Sequence, residues 1–148
     1  MTADIRDAHA ELNMPRVFRV LRKEPDNLPT VGDRDLGVRP GTDVDVDAQN
    51  NVQVNGNGMS VAPNWRNINY KRIPRRLRHI VPGAQGSNSK FCFRYGDGPF
   101  VQGPFANGLT LEPDSQTHGN VAPAQVIPLA TYQGDIAATR AAWVEDET

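Results

Sequence analysis

Three polar side chains at or beside predicted strands have types that could do chemistry. Arg19 lies on the first clear strand pattern, Ser60 opens a strand after a glycine-rich turn, and His118 precedes a later strand. A guanidinium binds anionic oxygens through a fork of donors, a hydroxyl donates and accepts, and an imidazole can hold a hydroxyl or a proton. Each also has a purely structural interpretation. In that interpretation Arg19 is a surface or ion-paired arginine, Ser60 closes a turn, and His118 is a hydrogen-bonded loop residue.

Charge is strongly segregated along the sequence. Residues 1–47 carry a net charge of −3, residues 48–96 carry +8 and residues 97–148 carry −6. The middle segment has no acidic residue, and its basic residues are Arg66, Lys71, Arg72, Arg75, Arg76, Arg78, Lys90 and Arg94. A local positive field attracts phosphate, a dinucleotide, a nucleic-acid backbone or an acidic protein. A solvated helix face is the alternative interpretation of the arginines at 75, 76 and 78.

Length and composition predict one domain over residues 1–148. The chain has 148 residues with 13 Gly and 12 Pro, which favour many short elements and few long helices. Neither a signal-peptide-like run nor a stretch of 18 apolar residues occurs, so we expect a soluble, cytoplasmic protein without membrane insertion. The single Cys92 allows no intramolecular disulfide and no thiol pair for zinc, and we expect it to be a small buried hydrophobe. We predict no metal site.

The order of the predicted elements favours an α+β fold with largely antiparallel pairing. A wound βαβ sheet is not expected, because no G-x-G-x-x-G turn follows a strand and residues 83–87 lack the Lys and Ser or Thr of a P-loop. The predicted elements of the first half are a helix at 3–12, a strand at 16–21, a loop at 23–42, alternation around Val44 and Val46, and a hairpin over 52–62. A short helix follows Pro74, and further strands are predicted at 91–95, 100–102, 109–112 and 118–122. The last predicted element is a helix from Pro128 that carries Leu129, Tyr132, Ile136 and Trp143 on one face.

Several short motifs together resemble toxins with an ADP-ribosyltransferase fold, in particular type VI secretion effectors from Pseudomonas and their relatives. The matching positions are Phe18 and Arg19, then Gly58, Met59, Ser60 and Val61, then Thr117, His118, Pro123, Tyr132 and Trp143. They keep the family's order and cover about a third of the chain. Met59 departs from the family, which has Thr there, and Glu112 is the one plausibly placed late glutamate.

The resemblance implies a single domain with two small, mainly antiparallel sheets around a cleft, a C-terminal helix, and NAD as the bound cofactor. It implies Ser60 and His118 as catalytic residues. Arg19 and Ser60 would bind the cofactor's diphosphate and ribose, while Trp65, Tyr70 or Tyr95 would stack on its rings. It further implies an interbacterial toxin, delivered into the cytoplasm of a target cell without a cleavable signal peptide, that transfers ADP-ribose to a macromolecule or hydrolyses NAD, and a cognate immunity or antitoxin protein as its partner.

Two other interpretations of the basic segment, residues 48–96, stay open. Residues 64–94 are also compatible with a nucleic-acid surface on which Trp65 and Tyr70 stack on bases, as in a nucleic-acid-binding domain or an RNA-directed toxin without NAD chemistry. Alternatively, the basic surface serves only to bind an acidic inhibitor. Salt dependence separates the first of these from a cofactor cleft, because nucleic-acid affinity falls steeply with salt.

Overall fold

Two antiparallel sheets meet at the first strand in the computed structural model, which describes residues 14–148. The helix predicted at residues 3–12 lies outside the described residues. The strands are β1 (Val17–Arg22), β2 (Asn51–Val52), β3 (Met59–Val61), β4 (Lys90–Tyr95), β5 (Gly103–Ala106), β6 (Leu109–Pro113), β7 (Gly119–Pro123), β8 (Ile127–Pro128) and β9 (Val144–Glu145); the α-helix is α1 (Leu129–Ala137), and short 3₁₀ helices cover Trp65–Asn67, Arg75–Leu77 and Arg140–Ala142.

The first sheet is built on β4, which lies between β1 and β9. Its sequence, KFCFRY, is rich in aromatic residues, which favour strands. The antiparallel register joins Val17 to Tyr95 at one end and Arg22 to Lys90 at the other. The predicted central strand at 91–95 is therefore confirmed, and so is the predicted first strand, within one residue at each end.

The second sheet has the order β3-β7-β6-β5 and is joined to the first through β1. Phe18 N–H donates to the Ala62 carbonyl over 2.7 Å, and Ala62 N–H donates to the Phe18 carbonyl over 3.0 Å. A Cβ atom at Gly58 would clash with the Val121 carbonyl, so only glycine allows β3 to begin this close to β7. The edge of β3 is thereby fixed beside β1.

Three sequence predictions of elements are wrong. Residues 52–62 form no hairpin, because Val52 pairs with Ile127 and β3 pairs with β7. The strand predicted at 100–102 instead occupies Gly103–Ala106. The last helix ends at Ala137, so Trp143 lies beyond it, although Trp143 remains buried. The short helix predicted after Pro74 is a single 3₁₀ turn, Arg75–Leu77.

The apolar residues form two separate clusters on the two sides of the first sheet. Val17 and Leu21 belong to the larger cluster, which also contains Tyr132 and Trp143, whereas Phe18 and Val20 belong to the smaller one around Trp65. This alternation is expected of a strand covered on both faces. Because both faces of β1 are buried, its one central polar side chain, Arg19, is also buried.

The described residues thus form a single α+β domain with several antiparallel sheets and a C-terminal helix, as the sequence predicted at this level. Within residues 14–148, no helix is long and apolar enough to cross a membrane.

We expect Tyr132→Phe to lower the free energy of unfolding by about 1–3 kcal/mol, the cost of leaving buried polar groups unpaired. The Tyr132 hydroxyl donates to the Val121 carbonyl over 2.5 Å and accepts from Met59 N–H over 3.3 Å, so it links β7 to β3. Urea denaturation followed by circular dichroism measures the change. Tyr70→Phe, at an exposed tyrosine, is the control and should change little. Equal stability of both variants would contradict the bridging role.

Candidate functional site

Arg19 is a buried guanidinium held by backbone carbonyls. It is 8% exposed, its Nε donates to the Asp35 carbonyl over 2.8 Å, and its Nη1 donates to the Ser60 carbonyl over 2.8 Å. Among the residues that the structure describes, no carboxylate lies within ion-pair distance of it. Burial, followed by the nearby charge of Arg72, lowers the pKa of Arg19 to about 10. Arg19 therefore stays protonated at neutral pH without a close ion-pair partner, and the more distant charges of Asp43 and Asp35 offset its own only in part.

Asp35 fixes the loop over residues 23–42 against β1 and so presents its carbonyl to Arg19. The Asp35 carboxylate accepts from Arg22 N–H over 2.8 Å and from the Arg22 guanidinium over 3.0 and 2.7 Å. Burial opposes ionisation of this carboxyl, but the hydrogen bonds from Arg22 outweigh it, and the pKa of Asp35 lies below its usual value. Arg22 thus forms the ion pair with the Asp35 carboxylate, and Arg19 is hydrogen-bonded only to the Asp35 backbone carbonyl.

Two adjoining cavities open where β1 meets β3. The charged cavity, of about 280 Å³, is lined by Arg19, Val20, Asp33, Arg34, Arg39, Asp43, Ser60, Arg72 and Lys90. The mixed cavity, of about 250 Å³, is lined by Phe18, Arg19, Val20, Ser60, Val61, Ala62, Asn67, Ile68, Asn69, Arg72 and His118. Arg19, Val20, Ser60 and Arg72 belong to both, so they form the shared wall of a polar compartment and a partly apolar one.

Ser60 and His118 lie on the same face of the second sheet. Ser60 pairs with Asn120 in the register of β3 and β7, and His118 precedes Asn120 by two residues, which places it diagonally from Ser60. Both line the mixed cavity together with Arg19. The structure therefore brings together the three polar residues that the sequence singled out.

A carboxylate orients the His118 ring. Nδ1 of His118 lies 2.8 Å from both carboxylate oxygens of Asp114. An ionised carboxylate only accepts hydrogen bonds, so Nδ1 carries the proton and Nε2 is the nitrogen left for other partners. Sequence reasoning missed Asp114; its spacing of four residues from His118 was the available signal.

The aromatic candidates are not placed as predicted. Trp65 is 1% exposed in the smaller apolar cluster, and its Nε1 donates to the Thr148 carbonyl over 3.1 Å, so its ring is not free to stack on a ligand. Tyr95 is buried and stacks on Phe105 with ring centroids 4.3 Å apart. Tyr70 is exposed but lines neither cavity. Among the apolar residues of the mixed cavity, Ile68 is partly exposed, whereas Phe18 is 1% exposed in the smaller cluster.

Glu112 is near this site but does not line it. It pairs with Asn120 across β6 and β7, so Ser60, Asn120 and Glu112 form one row across the sheet. Glu112 is half-buried and belongs to neither cavity wall.

The basic residues of the basic segment lie in three different environments. Arg76 pairs with Glu147, and Arg94 pairs with Asp97 and Asp146. Arg72 and Lys90 line the charged cavity. Arg66, Lys71, Arg75 and Arg78 are exposed. The charge pattern of the sequence thus singled out Arg72 and Lys90 of this cavity. It did not single out Arg34 and Arg39, because their loop also contains acidic residues.

Comparison with known proteins finds no matching family model, no matching curated protein and no matching solved structure. The resemblance to ADP-ribosyltransferase toxins accordingly stays a hypothesis that depends on the residues themselves.

We expect Arg19→Lys to lower the free energy of unfolding by about 1–3 kcal/mol, because one ammonium cannot replace the fork that joins the Asp35 and Ser60 carbonyls. Urea denaturation at neutral pH measures this loss. Arg34→Lys, at an exposed arginine, is the matched control and should stay within about 0.5 kcal/mol. If Arg19→Lys is as stable as the unaltered protein, the guanidinium does not fix the two segments.

In Asp114→Asn, His118 should no longer be restricted to the Nδ1–H tautomer, because an amide can present a donor or an acceptor to Nδ1. Nitrogen-15 NMR of labelled histidine at alkaline pH measures which ring nitrogen is protonated. We expect Nδ1–H in the unaltered protein and a mixture of tautomers in the variant. His79, whose Nδ1 lies 3.2 Å from the Arg76 carbonyl, is the internal control and should not change. An unchanged His118 spectrum would show that Asp114 does not set the tautomer.

Proposed function

We propose that this chain is a toxin of the ADP-ribosyltransferase type that binds NAD and transfers ADP-ribose to a macromolecule, with hydrolysis of NAD as the variant reaction. The observation that carries the proposal is the meeting of Arg19, Ser60 and His118 at one cavity, although they lie far apart in the sequence. Their convergence from β1, from β3 and from the position before β7 favours a common role over three unrelated structural ones.

The residues at the cavity suit the cleavage of a nicotinamide glycosidic bond. In that reaction the bond from ribose C1′ to nicotinamide breaks and nicotinamide leaves with the bonding electrons. The acceptor oxygen or nitrogen, or water, bonds to C1′ and releases one proton to the solvent. The enzyme mainly has to orient the two rings and hold the anionic diphosphate. Ser60 and Nε2 of His118 are the proposed partners of ribose hydroxyls, and Ser60 thus also serves in cofactor binding.

The charge and the walls of the cavities support this assignment. Arg19 and Arg72, on the shared wall, supply positive charge for a diphosphate. The mixed cavity combines the partly exposed Ile68 with Asn67 and Asn69, which fits a polar aromatic ring and its sugar. Since Trp65 is buried, we assign no stacking role to it.

The nucleic-acid alternative has less support. Its main stacking residue, Trp65, is buried, and two of its cations, Arg76 and Arg94, are engaged by carboxylates. The exposed residues Lys71 and Arg75 keep a positive surface on this side of the molecule. We assign that surface to an acidic immunity or antitoxin protein, for which exposed charge would speed association. The proposed place of action is the cytoplasm of a target cell.

Incubation with NAD labelled in its adenylate phosphate and a bacterial lysate tests the proposal, after protein, nucleic acid and free nicotinamide are separated. We expect nicotinamide release with label on one class of macromolecule, or free ADP-ribose if water is the acceptor. Ser60→Ala and His118→Ala should each lower the rate about 10- to 100-fold, the cost of one lost hydrogen bond to the reacting ligand.

His79→Ala and Ser87→Ala are the matched controls, because both side chains are exposed and outside the two cavities. They should retain full activity, and the melting temperature of all four variants should stay within a few degrees. Absence of nicotinamide release by the unaltered, folded protein would rule out the proposed reaction. Equal losses in cavity and control variants would remove Ser60 and His118 from the site.

A further inference from the structure

The charged cavity has an excess of positive charge. Five basic and two acidic residues line it. Asp43 is already engaged, since it accepts from Arg39 N–H over 2.7 Å and pairs with the Arg39 guanidinium over 3.2 Å. Within the part of the chain that the structure describes, Arg19, Arg34, Arg72 and Lys90 have no ion-pair partner. Asp33 is the one other carboxylate on the wall.

Arg19 adds to this excess of positive charge a buried guanidinium whose N–H donors are only partly used. An arginine has five N–H donors, and two of those of Arg19 are used, by the carbonyls of Asp35 and Ser60. In residues 14–148, no fully buried side-chain nitrogen lacks a hydrogen-bond partner. Nη2 of Arg19 makes no hydrogen bond within these residues, so it is not fully buried and is left for a ligand in the cavities that Arg19 lines. A buried charge without an ion-pair partner is costly, and an anion at this place would lower that cost.

The size and the walls of the charged cavity restrict the class of anion. Its volume of about 280 Å³ is at the lower limit of small-molecule sites, so it suits a compact group and not a complete dinucleotide. Val20 is the single apolar residue on its wall, which leaves little surface for a ring or a hydrocarbon chain. Several converging guanidinium and ammonium donors match the oxygens of a phosphate or a diphosphate.

We propose that the charged cavity is a binding site for a phosphate or diphosphate group, held by Arg19 and Arg72 on the shared wall and by Arg34 and Lys90 on the far side. The inference goes beyond the proposed reaction and does not depend on it, because it uses only charge, burial and size. The phosphate can belong to a dinucleotide in the mixed cavity or to a second molecule, such as a phosphate-bearing acceptor. Both sources share the same chemistry.

Titration calorimetry with inorganic pyrophosphate and the full chain tests this site at low salt and at about 0.15 M salt. Arg34→Ala and Lys90→Ala should each raise the dissociation constant about tenfold, through the loss of a charge-assisted contact. Arg75→Ala is the matched control, because Arg75 is an exposed arginine of the basic segment outside both cavities, and it should leave the constant unchanged. Circular dichroism verifies that each variant is folded. If Lys90→Ala does not fold, Arg34→Ala still tests the site, because Arg34 is exposed and its loss should not affect folding.

A second titration, in the presence of saturating NAD, identifies the source of the phosphate. If NAD weakens pyrophosphate binding, the cavity holds the diphosphate of the dinucleotide. If both bind together, it holds a phosphate of a second molecule. Either result supports the site, and pyrophosphate binding without any NAD binding would support it while removing the proposed reaction. Failure of pyrophosphate to bind at about 0.15 M salt, or an equal loss in Arg75→Ala, would overturn it.

Discussion

The guanidinium of Arg19 links three parts of the chain that the sequence separates widely. It lies on β1, donates to the carbonyl of Asp35 in the following loop and to the carbonyl of Ser60 on β3, and is almost completely buried. A charged fork that satisfies two backbone carbonyls fixes both segments at once, since moving either would leave a buried polar group unpaired. The walls of both cavities depend on that arrangement, because each wall includes Arg19 and Ser60.

The separation of charge along the sequence acts partly within the fold. The segment at residues 144–148 lies against β4, where Glu147 pairs with Arg76 and Asp146 pairs with Arg94. Part of the basic segment is thereby neutralised by the acidic end of the sequence. What remains is divided between an exposed surface and the charged cavity, so a net charge counted along the chain overstates the charge available to a partner.

Two strands predicted from local patterns were confirmed, whereas the predicted hairpin and the predicted role of Trp65 were wrong. The strands at 91–95 and 109–112 have alternating or aromatic sequences that favour a strand in any context, and both are present. The predicted hairpin has a suitable turn at residues 55–58, yet Val52 pairs with Ile127 because packing against α1 outweighs the local turn preference. Trp65 was predicted to stack on the rings of NAD or, in the alternative, on bases, but it is buried in the smaller cluster.

The sequence by itself determined the α+β class, the first and central strands, and the chemistry available at positions 19, 60 and 118, because residue types and short-range periodicity carry that information. Only the tertiary structure decided which of these groups meet. Strand register places Ser60 beside Asn120 and thus near His118, and the loop at Asp35 adds Arg34 and Arg39 to a cavity with Arg72 and Lys90. Those contacts join residues distant in the chain, and their free energy comes from burial and hydrogen bonding that no local pattern specifies.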